Sequence, residues 1–100
     1  MAPRQGRLFL RLFVAGESPD STLAIANLAA LFPNGKGEQV DIEIVDVQRD
    51  PGRAARDGIM VTPTLLKLWP SPPCRILGNL KNRAALQRVL AIDVDAPEGE

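Results

Sequence analysis

The first long apolar run is Leu8-Phe9-Leu10-Arg11-Leu12-Phe13-Val14-Ala15, broken only by Arg11. A run of this length without alternation predicts a strand covered on both faces, hence a central or parallel one. Gly16-Glu17 ends it, and Ser18-Pro19-Asp20-Ser21 opens a helix. Ser18 caps free amides, Pro19 takes the first helical position where its missing N–H is harmless, and Asp20 sits at the positive end of the dipole. The pattern carries the helix to about Phe32 with Ser21, Ile25, Leu28, Ala29 and Phe32 on the core face. The opposite face presents Leu23, Ala26, Asn27 and Ala30, and no residue from Ser21 to Phe32 is charged. If this helix has a partner, Leu23 stands at the centre of the contact; a merely bland exposed face accounts for the same residues.

Pro33-Asn34-Gly35-Lys36-Gly37 reads as a loop, and Gln39 to Val47 then alternates Val40, Ile42 and Ile44 against Asp41 and Glu43. That alternation predicts a second strand with one covered and one wetter face, closing a right-handed βαβ unit. Asp50-Pro51 repeats the cap-plus-proline signature, and Gly58 stops the short helix after one or two turns. Ile59 to Val61 is expected to pack back onto the sheet and lead into Val61-Thr62-Pro63-Thr64-Leu65. Pro63 cannot donate a ladder hydrogen bond and holds Thr62 extended, which suits a turn entering a strand; X-Pro is also the linkage at which the cis isomer costs little. Thr64 to Trp69 follows as a strand, Pro70-Ser71-Pro72-Pro73 as a stiff turn, and Arg75-Ile76-Leu77 as a short antiparallel strand ended by Gly78-Asn79. A last helix runs from about Leu80 to Ala91, capped by Asn79 or Asn82, with Leu86, Val89 and Leu90 inward and Arg83 and Arg88 outward. The order βαβ, αβ, βα predicts an α/β, thioredoxin-like fold with cis-Pro63, as one domain over residues 1–100 with flexible tails at 1–7 and 93–100.

One hundred residues with 45% hydrophobic content suffice for a single core. The zero formal net charge speaks against a protein that coats nucleic acid or membrane. Between Pro51 and Ile92 seven basic residues face one acidic residue, Asp57, while Asp93, Asp95, Glu98 and Glu100 follow, so a basic face with an acidic tail is expected. Cys74 is alone and histidine is absent. An intrachain disulfide, a Cys/His zinc site and every imidazole-dependent triad are thereby excluded. With no signal-peptide pattern and no membrane-length apolar run, a cytoplasmic protein is expected.

A thioredoxin-like oxidoreductase needs a cysteine where the first strand meets the first helix, at the positive end of the dipole. Here that loop is Gly16-Glu17-Ser18-Pro19-Asp20-Ser21, without cysteine, and Glu17 and Asp20 would oppose a thiolate. Ser18 has no histidine to activate it, and capping already explains it. Asp41, Glu43 and Asp46 as a metal or acid/base set are met by a simpler reading, because alternation turns Asp41 and Glu43 to solvent. Trp69 alone, without net positive charge, makes a poor stacking platform for nucleic acid. Catalytic, cofactor-binding and metal-binding residues are therefore not expected, which leaves surfaces.

Leu12 and Val14-Ala15-Gly16 with Pro19 and Ser21, then Val45-Asp46-Val47 with Pro51, Ala54, Asp57 and Ile59, then Thr62-Pro63-Thr64-Leu65, Lys67, Pro70, Pro72, Arg75-Ile76, Gly78, Leu80 and Arg83 form one set of blocks. Together they resemble the KaiB family of clock proteins, whose relatives include the sensor domain of the histidine kinase SasA. The resemblance implies a non-enzymatic adaptor, without cofactor, that docks on a KaiC-type ATPase and works alongside KaiA- or SasA-like proteins. It also implies a fold-switched alternative for residues 64–91, in which helix and strand exchange. Good helix formers from Lys81 to Arg88 favour the thioredoxin-like arrangement. The chain departs from the family at Leu23, Ala26 and Ala30, where clock members carry basic residues, and at Phe13, Cys74, Asn79 and Lys81. Leu23, Arg49, Lys67, Arg75, Lys81 and Arg88 are the candidate contact residues; Gly16, Pro63 and Gly78 are structural. Two other readings stand beside the adaptor: a thiol- or glutathione-dependent enzyme using Cys74, and a self-associating module built on the uncharged helix.

Overall fold

A computed structural model describes residues 8–32, 40–70 and 72–90. The tails expected at 1–7 and 93–100 and the loop at 33–37 lie outside them. The elements are β1 (Leu8–Val14), α1 (Pro19–Leu31), β2 (Val40–Asp46), α2 (Pro51–Arg56), β3 (Thr64–Trp69), β4 (Cys74–Leu77) and α3 (Arg83–Leu90). They build one sheet in the order β2-β1-β3-β4. The apolar run of β1 takes a central position, parallel to β2 and antiparallel to β3. Strand β4 closes the other edge antiparallel to β3.

Alternation along β1 feeds two cores. Leu8, Leu10, Leu12 and Val14 meet Ala24 and Leu28 of α1, Leu65 of β3 and Leu86 of α3 on one face. Phe13 meets Val45, Leu66 and Ala54 of α2 on the other. Each of these large side chains, once fully buried, contributes roughly 1.5–3 kcal/mol relative to exposure. The α/β thioredoxin-like arrangement predicted from pattern is the one observed, with the Thr62–Pro63 bond cis; Trp69–Pro70 is cis as well.

Four local expectations differ from the structure. The core stripe of α1 is Ser21, Ala24 and Leu28 with Leu31 and Phe32 partly covered, while Ile25 (36% exposed) and Ala29 point outward. The buried Ser21 hydroxyl accepts the Ala15 amide at 3.0 Å, which fixes the rotation of the helix. In β2, Val40 and Ile42 are covered but Ile44 is 48% exposed, because β2 is an edge strand with a neighbouring strand on one side only. Asp50 precedes α2 without a side-chain capping bond. Helix α3 begins at Arg83 rather than Leu80, since Leu80 turns its buried side chain inward with φ 67°, a conformation no helix continues. Asn79 serves that turn, its Oδ1 accepting the Lys81 amide at 3.2 Å. Arg83 and Arg88 are exposed and Leu86 is buried as expected; the side chains of Val89 and Leu90 lie outside the description. Among the described residues no helix is long and apolar enough to cross a membrane.

Candidate functional site

The carboxyl end of β1 and the amino end of β3 share one end of the sheet, because Phe13 pairs with Thr64 and so brings Pro63 level with Val14. The loop that follows β1 is satisfied internally. Asp46 Oδ1 accepts the Gly16 amide at 3.0 Å and the Gln48 amide at 2.9 Å. Those two amides, Gln48 first, hold the Asp46 carboxyl below its ordinary pKa by favouring the anion. Ser18 Oγ accepts the Ser21 amide at 3.3 Å, the cap expected from sequence. Gly16 has φ 55°, and a Cβ there would stand 2.8 Å from Gln48 Oε1. The position that holds the nucleophile in a thiol enzyme is thus a closed turn of glycine and capping serine. Cys74 pairs with Lys67, which pairs with Leu10, so the thiol sits toward the opposite end of the strands from Pro63 and the start of α1. No cluster of metal-ligating side chains occurs among the described residues.

The turn before β3 is tied at both sides. Thr64 Oγ1 donates to the Val61 carbonyl at 2.7 Å, and the Gly78 amide donates to the Pro63 carbonyl at 2.9 Å. Gly78 has φ 101°, which a side chain rarely adopts. Beside this turn lies an open groove of about 420 Å³, lined by Val47, Pro51, Ala54 and Ile59 and rimmed by Met60 and Val61. Met60 is 89% exposed, the most open of the large apolar side chains described.

Helix α2, one wall of the groove, is set in place by charge. Arg11 Nε reaches Glu43 Oε1 at 2.8 Å, Arg11 Nη1 reaches Asp57 Oδ2 at 3.0 Å, and Arg53 Nη1 reaches Glu43 Oε2 at 2.7 Å. Glu43 therefore is not a solvated carboxylate as its alternation suggested. The Arg53 hydrogen bond, helped by Arg11 and opposed by burial, holds its carboxyl below the usual glutamate range. Arg75 closes the carboxyl end of α2, donating from Nη1 to the Gly58 carbonyl at 3.0 Å and from Nη2 to the Asp57 carbonyl at 3.1 Å.

The six candidate contact residues do not form one patch. Leu23 is exposed on α1, and Lys81 and Arg88 are exposed on and before α3. Arg49 projects into solvent near α2, 4.0 Å from Asp46, while Arg75 is engaged with the α2 terminus. Lys67 is 4% exposed within β3 and offers a partner no free surface in this arrangement. Met60 and Val61 were expected to pack on the sheet; of the segment Ile59–Val61 only Ile59 does so. The signal was present: three consecutive apolar residues in an extended connection cannot all face one core.

Residues 11–92 match the KaiB domain. The chain belongs to the KaiB family. It is 42% identical over 93 residues to circadian clock protein KaiB3 of Synechocystis sp., an alignment covering 93% of this chain and 88% of that protein. It is 37% identical over 83 residues to the circadian clock oscillator protein KaiB of Thermostichus vulcanus, covering 83% and 77% respectively. Among solved structures it is similar to the amino-terminal domain of Synechococcus elongatus SasA, with a TM-score of 0.67 at 22% identity over 88% of this chain and 87% of that one. It is also similar to chloroplastic thioredoxin z, with a TM-score of 0.71 at 19% identity over 87% and 78%. Those two likenesses establish the fold alone.

Proposed function

We propose that this KaiB-family chain is a non-enzymatic regulator of a clock or clock-derived signalling system, acting in the cytoplasm by docking on a KaiC-type ATPase through the cis-Pro63 end of its sheet. The observation that carries the reading is the apolar rim of Met60 and Val61 beside a closed, cysteine-free loop. A thioredoxin scaffold whose loop after the first strand is spent on internal hydrogen bonds still offers a groove that can bind a partner. Arg49 and Arg56, exposed beside the groove, favour an acidic rim on the partner. KaiA- or SasA-like proteins would then act on the docked pair, and family membership supports this circle of partners. The test is co-elution of the full chain with a purified KaiC-type ring. Met60→Glu, on an exposed position, leaves the fold intact and is expected to abolish co-elution, while Cys74→Ser is expected to leave it unchanged.

A further inference from the structure

Met60 carries a thioether in the open. It is 89% exposed at the rim of the α2 groove, against 60% for Leu77, 51% for Val61 and 48% for Ile44. A leucine or valine there would offer no reactive atom, whereas the thioether sulfur is soft, polarisable and open to oxidants. The backbone on either side is held independently of this side chain. The Ile59 amide donates to the Ala54 carbonyl at 2.9 Å and its side chain packs on the α2 core, while the Val61 carbonyl accepts from Thr64 Oγ1 at 2.7 Å. A change at the Met60 sulfur therefore removes no core contact. Cys74, the one thiol of the sequence, stands toward the opposite end of the strands.

We infer that Met60 is a reversible oxidation site. A lone pair of its sulfur attacks hydrogen peroxide, the O–O bond breaks, and the products are methionine sulfoxide and water; sulfur loses two electrons and the peroxide gains them. The return step takes a methionine sulfoxide reductase with a dithiol, which closes to a disulfide as the oxygen leaves in water. With a single thiol, at the far end of the strands, the chain does not supply that dithiol itself. The added oxygen changes what the rim can touch. A thioether suits an apolar surface, but a sulfoxide accepts hydrogen bonds from water and forfeits them when covered. One atom thus makes the rim of Met60 and Val61 partly polar, and the consequence is weaker docking. That consequence rests on the docking reading above; the modification does not.

Hydrogen peroxide added to the full Cys74→Ser chain, followed by peptide mass spectrometry, tests the site with the thiol out of competition. The expected result is one oxygen on the Met60 peptide, gained within about threefold of the rate in the denatured chain, since exposure governs access. Circular dichroism should not change, and the reductase should remove the oxygen from the folded chain. A slower rate, a fold lost on oxidation, or a sulfoxide that the reductase does not reduce would overturn the proposal. With peroxide removed, binding to a purified KaiC-type ring separates site from consequence. The oxidised chain is expected to bind at least about tenfold more weakly and to recover after reduction. Met60→Leu, at whatever level it binds, should be indifferent to the peroxide step. Undiminished binding by the oxidised chain would overturn the switch; no binding by the untreated chain would overturn the docking reading and leave the oxidation result standing.

Discussion

Between the sheet and helices α1 and α3 the core is mostly leucine: Leu10, Leu12, Leu28, Leu65 and Leu86 meet there. Beneath α2 the opposite face sets Arg11, Glu43, Arg53 and Asp57 against Phe13, Leu66 and Ala54. The first face is held by burial, which is strong and undirected; the second adds directional ionic hydrogen bonds that fix where α2 lies. Stability and orientation are thus assigned to different sides of one sheet. The groove beside Met60 belongs to the side whose geometry is set by charge.

The largest expected effect breaks the leucine face. Leu10→Ala removes a fully buried side chain from the central strand and should cost about 2–5 kcal/mol in chemical denaturation. Arg11→Met, on the other face, strips Asp57 of an ionic partner and leaves Glu43 with Arg53 alone. Its cost should be smaller, about 1–2 kcal/mol given the partial exposure of all three groups, and it should weaken docking more than its stability loss explains. Gly16→Ala should cost about 1–2 kcal/mol, combining the left-handed backbone with the close approach of Gln48. The smallest effect is one of pH. The Glu43 carboxyl is held below its ordinary 4.5, so the stability it lends is complete above that pH and lost as pH falls through the lowered value. Denaturation midpoints followed into acid should show Glu43→Gln with a shallower decline than the unaltered chain.

The leucine face was legible in the sequence and the ionic face was not. Runs such as Leu8 to Val14 declare burial through residue type alone, and Thr62-Pro63-Thr64 declares its turn through the chemistry of proline. Arg11 and Glu43 stand 32 positions apart, and Arg11 and Asp57 46 apart, so only the strand register brings them together. Lys67 looked like a surface cation because lysine usually is one, yet the strand carries it under cover. Ile25 looked inward by helical spacing; the Ser21 hydroxyl, bound to the Ala15 amide, set the rotation instead. The candidate groove lies beside the cis-Pro63 turn. Its exposed centre at Met60 was missed because an apolar triplet was taken as wholly core.

The cis-Pro63 end, with Met60 at its rim, is the proposed docking surface. The most direct measurement is the affinity of the full chain for a purified KaiC-type ATPase, with and without Met60→Glu, using Leu23→Glu as a control on the far side of the sheet. The expected result is binding by the unaltered chain, a loss of at least about tenfold in Met60→Glu and no change in Leu23→Glu. Equal binding by the Met60→Glu variant, or no binding by the unaltered chain, would contradict it.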